Sequence, residues 1–202
     1  MKHIKPYKIF ESASTNFPTT RDEIVELCIN KYGIENYTIN DDLSIDVDGD
    51  VNLSYGNLEY LPLKFNYVSG NFYCNNNALE SLEGSPQTVG GGFQCSQNEL
   101  KTLEGCPQTV NGNFLCFGNE LKDLEYFPEV SGNVYIKGNT VYLLVYTFIR
   151  TASSFMTEDF IDYEIVRNGD TVMLDRLQTF IRDNDLEMPD LDEIKKHYKI
   201  IE

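Results

Sequence analysis

The sequence predicts an α/β repeat protein: a short solenoid of stacked parallel strands, about five rungs long, with a helical cap at each end. Three observations favour this class. A motif of 21 residues recurs along the middle of the chain, apolar and polar residues alternate within each copy, and helical apolar patterns flank the copies. Hydrophobic residues make up 41% of the 202 residues, which is enough for a folded core and excludes wholesale disorder.

The repeat is visible as columns of matching residues. Each copy reads approximately V-x-G-x-F-x-C-x-x-N-x-L-x-x-L-E-G-x-P, and the last copy lacks one residue between Pro128 and Val130. A degenerate earlier copy over residues 49–61 brings the number of rungs to five. The clearest columns are Asn77, Asn98, Asn119 and Asn139; Gly70, Gly91, Gly112 and Gly132; Phe72, Phe93, Phe114 and Val134; and Cys74, Cys95, Cys116 and Ile136.

This consensus resembles the leucine-rich repeat, in which a strand with alternating inward residues is followed by Asn and then L-x-x-L. The L-E-G-x-P and F-x-C-x-x-N segments are similar to the short leucine-rich-repeat proteins encoded by bacteriophages. The resemblance covers residues 43–140. It implies a leucine-rich-repeat solenoid that binds a host or phage protein in the cytoplasm of an infected bacterium, for example to interfere with a defence or another host process.

The columns predict how each rung packs. Side chains alternate across a strand, so Phe93 and Cys95 are expected to point inward. We expect the asparagine column to form a buried ladder that satisfies backbone groups of the turns, since each unsatisfied group costs about 1–3 kcal/mol. The glycine column is expected to mark the bend at the start of each strand.

The flanking segments predict caps that cover the end rungs. Residues 1–19 are interpreted as a tail, 20–42 as an N-terminal helical cap, 43–140 as the solenoid and 141–202 as a C-terminal helical bundle. Thr20 and Glu23 form a capping-box pattern, and Gly33 is placed to end that first helix. Four C-terminal helices are expected to begin near Val141, Thr157, Thr171 and Asp190.

The charge pattern limits the classes of partner. The chain carries 16 Lys and Arg against 32 Asp and Glu, for a net charge of −16, and this field disfavours nucleic-acid binding. No apolar stretch of about 18 residues exists, so no membrane span is expected. Five cysteines without a Cys-x-x-Cys pair, and an N-terminus without an apolar signal-peptide segment, predict a cytoplasmic protein with free thiols.

Catalytic and metal chemistry find little support in the residue pattern. The cysteine column reads as core packing, and Cys106 reads as a surface turn residue. The alternating acids that end at Asp50 lack the Gly and Glu of a calcium loop, because Val51 and Asn57 stand at those places. The two histidines, His3 and His197, form no catalytic spacing. We therefore expect no enzyme activity, no cofactor and no metal; an enzyme in the last 60 residues is a weaker alternative.

The concave face of the solenoid is the remaining candidate site. Outward positions that hold aromatic or aliphatic residues predict a contact surface for another protein, unless the C-terminal segment folds back over them. The candidate residues are Tyr73, Leu115, Phe117 and Tyr135, with Asn71, Asn75, Gln94 and Asn113 as a polar rim.

Two other functions compete with protein binding through that face. The first is an acidic decoy that mimics nucleic acid and blocks a basic enzyme, and the second is a structural or homo-oligomeric phage component. The decoy would use the carboxylates Asp46, Asp48, Asp50, Glu80, Glu83, Glu99, Glu104 and Glu120.

Overall fold

A computed structural model describes residues 17–149, 160 and 162–202, with the backbone alone for residues 146–149. Most of the expected N-terminal tail, the expected helix start at Thr157 and the neighbouring Ile161 therefore lie outside the described residues. No helix in the described part of the chain is both long and apolar enough to cross a membrane.

The N-terminal segment begins with helix α1, Arg21–Glu26, which continues as a π-helical segment, Leu27–Tyr32. The predicted capping box is confirmed: the Thr20 hydroxyl accepts a hydrogen bond from the Glu23 N–H, and the Glu23 carboxylate accepts one from the Thr20 N–H. The helix ends at Gly33, whose φ of 60° is left-handed, as the sequence predicts. A strand then follows, β1, Tyr37–Ile39, which the helical interpretation of residues 20–42 missed.

The middle of the chain is a β-solenoid with two parallel sheets. The first sheet contains β2 Ile45–Val47, β4 Phe65–Val68, β6 Thr88–Val89, β8 Thr109–Val110 and β10 Glu129–Val130, with β1 antiparallel on the edge of β2. The second sheet contains β3 Val51–Asn52, β5 Phe72–Tyr73, β7 Phe93–Gln94, β9 Phe114–Leu115 and β11 Val134–Tyr135. Five stacked strand pairs thus enclose about four full turns, which confirms the predicted parallel stacking. The second strand in each rung was not expected.

The glycine column lies at the bend between the two strands of each rung. A Cβ on Gly91 would lie 2.8 Å from the carbonyl carbon of Gly70, and a Cβ on Gly112 would lie 2.7 Å from that of Gly91. Neither glycine has a left-handed φ. Glycine recurs here because the backbones of successive rungs stack too closely for any side chain.

The core is built from the inward columns. The rings of Phe72 and Phe93 stack with centroids 5.5 Å apart, and those of Phe93 and Phe114 stack at 6.1 Å. The thiols of the cysteine column are buried beside them, as the alternation predicts. Cys106, predicted to be a surface turn residue, is half-buried and packs against the core.

The asparagine column forms the predicted ladder. The Asn98 carboxamide donates to the carbonyls of Cys74 and Cys95, each at 3.0 Å, and accepts from the Leu79 N–H at 3.1 Å. Asn119 repeats the pattern one rung later, with donor–acceptor distances of 3.1 and 3.2 Å to Cys95 and Cys116. Each asparagine therefore ties its own rung to the preceding one.

The C-terminal region combines helices with a small sheet, so the expectation of a helical bundle is corrected. The helices with described bounds are α2 Tyr142–Ile149, α3 Leu174–Asp183 and α4 Leu191–Ile194, and the sheet contains β12 Val166–Arg167, β13 Thr171–Met173 and β14 Lys199–Ile201. The helix expected from Thr171 begins only at Leu174. The predicted cap at Asp190 is present, because its carboxylate accepts from the N–H groups of Asp192 and Glu193.

Candidate protein-binding face

The outer face of the second sheet, here called the binding face, is formed by the outward residues of β3, β5, β7, β9 and β11. Strand pairing places equivalent residues of successive rungs side by side, so that Leu115 lies between Gln94 and Tyr135. The complete outward column is Asn52, Tyr73, Gln94, Leu115 and Tyr135.

The predicted apolar residues of this face reach the surface. Tyr135 is 48% exposed, and Tyr73, Leu115 and Phe117 are half-buried. Leu115 and Tyr135 are paired neighbours on adjacent strands, whereas Tyr73 is separated from Leu115 by the polar Gln94. The apolar part of the face is therefore concentrated on its last two rungs.

One predicted rim residue does not belong to this surface. Asn75 is only 6% exposed, and Ser96, its counterpart one rung later, is fully buried. Strand β5 ends at Tyr73, and the following turn places Asn76 in the left-handed region with a φ of 56°. The in-out alternation of a strand therefore does not extend to residue 75, and Asn75 turns inward.

A second polar ladder, which the sequence interpretation missed, crosses the binding face just before its strands. The Asp50 carboxylate accepts from the Asn71 N–H at 2.6 Å, and the Asn71 carboxamide accepts from the Gly92 N–H at 2.7 Å. After a break, the Asn113 carboxamide accepts from the Asn133 N–H at 2.8 Å. The expected rim residues Asn71 and Asn113 thus hold rungs together as well as facing solvent.

Charge is unevenly balanced along the molecule. Residues 43–140 contain twelve acidic and four basic residues. All ion pairs within the described residues lie outside this segment, in the N-terminal helix region and in the C-terminal region. The solenoid therefore presents carboxylates that no described cation neutralises through an ion pair, for example Glu83 and Glu104 in one column.

The buried thiols are poor nucleophiles because burial disfavours the thiolate form. Burial raises the pKa of Cys28 to about 11 and raises the pKa values of Cys74 and Cys95 as well. The described residues contain no group of three or more His, Cys, Asp or Glu side chains that could hold a metal ion.

A cavity of about 570 Å³ lies between the last rung and the C-terminal region. Its polar lining includes Asp123, Glu164 and Arg167, and its apolar lining includes Leu124 and Ile165. Burial raises the pKa of Asp123, whereas hydrogen bonds from Arg176 and Arg167 lower the pKa of Glu164. The cavity residues named here do not include a nucleophilic side chain next to a general base.

Comparison of the chain with protein-family models, with curated proteins and with solved structures found no match.

Proposed function

We propose that the protein is a non-catalytic, protein-binding solenoid that contacts its partner through the binding face. The observation that carries this proposal is the adjacent pair Leu115 and Tyr135, which leaves apolar surface on a sheet whose backbone is tied together rung by rung. Aromatic and aliphatic residues on a rigid scaffold are typical of interface anchors. Five free cysteines support a reducing, cytoplasmic location.

The resemblance to phage-encoded leucine-rich-repeat proteins extends this proposal to the kind of partner. It favours a host or phage protein in the infected cell, and modulation of a host or defence process as the outcome. Modulation of this kind requires binding alone and no catalytic residue in the chain.

The experiment compares capture of proteins from infected and uninfected bacterial lysates by the immobilised chain. The double variant Leu115→Ala and Tyr135→Ala should lose the captured protein while its circular dichroism spectrum and melting temperature stay near those of the parent. Tyr67→Ala is the matched control, because Tyr67 is a similarly exposed tyrosine, 41% against 48%, on the other sheet. Equal capture by the parent and the double variant would remove the binding face from consideration.

An acidic decoy is the second candidate, and the carboxylates without ion pairs along residues 43–140 favour it. Its partner would be a basic nucleic-acid-binding enzyme. Affinity for such a partner should fall steeply between 50 and about 200 mM salt, whereas contact through Leu115 and Tyr135 should change little. A homo-oligomeric role would instead appear as a multiple of the 23.1 kDa chain mass in size-exclusion chromatography with light scattering.

A further inference from the structure

The polar ladder on the binding face is interrupted at one rung. At three positions of this ladder a side-chain oxygen of one rung accepts the backbone N–H of the next, with distances of 2.6, 2.7 and 2.8 Å. Gly92 occupies the place where a fourth acceptor would stand, between Asn71 and Asn113. The Asn113 N–H consequently has no acceptor among the described residues, although its counterparts on the other rungs have one.

Glycine is not required at position 92 by backbone conformation. Its φ lies outside the left-handed region, and a Cβ placed there would lie 3.6 Å from the Asn113 nitrogen and 3.1 Å from the Asn113 oxygen. Gly91 and Gly112 differ, because a Cβ on either would meet backbone below 3 Å. A Cβ at Gly92 would also lie 3.3 Å from the Asn71 Oδ1, so it would fit closely. What is missing at this position is a side-chain acceptor, and this gap in the ladder, here called the notch, leaves the N–H of the exposed Asn113 open to solvent. Such a glycine is typical of places where another backbone approaches closely.

The apolar residue next to the notch and the net charge of the whole solenoid indicate the chemistry of its occupant. Asn113 precedes Leu115 by two residues, so the open donor and the apolar side chain are about 6.6 Å apart along the chain, the spacing of alternate residues in an extended peptide. Residues 43–140 carry a net charge of −8 from twelve acids and four bases, and no described ion pair lies within them. Charge complementarity therefore favours a basic partner segment.

We infer that Gly92 is a docking notch for an extended, basic peptide segment of the partner. A backbone carbonyl of that segment accepts the hydrogen bond from the Asn113 N–H, and an apolar side chain next to it packs on Leu115. This inference rests on the proposed function, since it specifies how the binding face is used. The inference goes beyond the proposed function because it names the hydrogen-bond donor, the position that lacks a side chain, and an extended peptide backbone as the structure that is recognised.

The vacancy itself is tested on the isolated protein. Gly92→Asn restores an acceptor at the notch, so exchange of the Asn113 amide with deuterium should slow by about tenfold and the melting temperature should rise. Gly92→Ala adds a Cβ without an acceptor and should leave the exchange of that amide fast. An Asn113 amide that is already protected in the parent, or one that the asparagine variant does not slow, overturns the inference.

Docking is tested with a displayed library of random 12-residue peptides, selected on the immobilised full chain. Selected peptides should be rich in Lys and Arg, and Gly92→Asn should weaken their binding about tenfold because it takes over the Asn113 donor. Leu115→Ala should weaken the same peptides.

The outcomes separate the notch from the binding face. One outcome is that the selected peptides bind the Leu115→Ala protein more weakly but bind the Gly92→Asn protein as tightly as the parent. This result would overturn the inference about the notch and would still support the binding face. A selection that enriches no peptide also overturns the notch, while the proposed function is then decided by the lysate capture alone.

Discussion

The hydroxyl of Tyr198 donates a 2.7 Å hydrogen bond to the carbonyl of Lys122, joining two residues that are 76 positions apart. Tyr198 is only 4% exposed, and burial raises its pKa. The bond connects the C-terminal region to the outer layer of the last solenoid rung. A second link, from the Val141 N–H to the Leu121 carbonyl at 2.8 Å, lies next to it. The C-terminal region thus covers the last rung of the solenoid. Without this cover the core of that rung would be exposed to solvent.

Tyr198→Phe should therefore destabilise the protein, because it leaves the Lys122 carbonyl without its donor at a partly buried contact. The expected loss in the free energy of unfolding is about 1–2 kcal/mol, measured by urea titration. Tyr67→Phe is the control, since Tyr67 is 41% exposed on the first sheet, and it should change stability by less than about 0.5 kcal/mol. Equal losses in both variants would show that the Tyr198 bond adds nothing.

Asn98→Ala should be more damaging, since one buried carboxamide serves two carbonyls and one N–H. Leaving these groups unsatisfied should lower the free energy of unfolding by about 3 kcal/mol or more. Asn77→Ala removes the same kind of side chain from the first asparagine of the ladder, where Asn77 is only half-buried and water can replace it. Chemical denaturation of both variants should rank Asn98→Ala well below Asn77→Ala, and the reverse order would contradict the ladder as a buried tie.

Gly112→Ala should also destabilise the chain, because its Cβ would lie 2.7 Å from the Gly91 carbonyl carbon and the Gly92 nitrogen. Backbone must move to accept it, and the expected cost is about 1–3 kcal/mol. Gly33→Ala separates this clash from backbone strain: its φ is +60° but nothing lies within 4 Å of the added Cβ. That variant should lose about 1 kcal/mol through strain alone, so thermal melts should show the larger loss at Gly112.

The sequence-based predictions succeed where the repeat constrains the chain. Because the copies have one length, Phe72, Phe93 and Phe114 had to fall in register, and the asparagine ladder followed from the same column. The C-terminal region has no repeat, and the short apolar run at residues 172–174 fits a helix or a strand equally well. The deciding signal was the turn before it, Asn168-Gly169, with φ values of 53° and 66°, which is typical of a hairpin.

The binding face shows the same division. Alternation places Tyr73, Leu115 and Tyr135 correctly, because all three lie within strands. It fails at Asn75, since the strand is only two residues long and the chain has already entered the turn. The break in the polar ladder at Gly92 is readable from the aligned copies, but its meaning depends on knowing that the neighbouring asparagines accept backbone N–H groups across rungs.

Asp123→Asn should stabilise the protein at neutral pH. Burial raises the pKa of Asp123 in the folded state, so folding favours its protonated form and the cost of burying the charge is fully present once the pH exceeds that raised value. An asparagine keeps the oxygen that accepts from the Glu125 N–H at 3.1 Å but carries no charge.

The stabilising effect of Asp123→Asn should be largest near pH 7 and should shrink as the pH falls through the raised pKa of Asp123, because the wild-type carboxyl then becomes protonated in the folded protein. Urea unfolding of both proteins across pH 3.5–7.5 measures this difference. Asp162→Asn is the control, because Asp162 is exposed and its variant should follow the parent throughout. An Asp123→Asn variant that is less stable than the parent at pH 7, with the difference vanishing toward acid pH, would mean instead that the folded protein holds the Asp123 charge favourably.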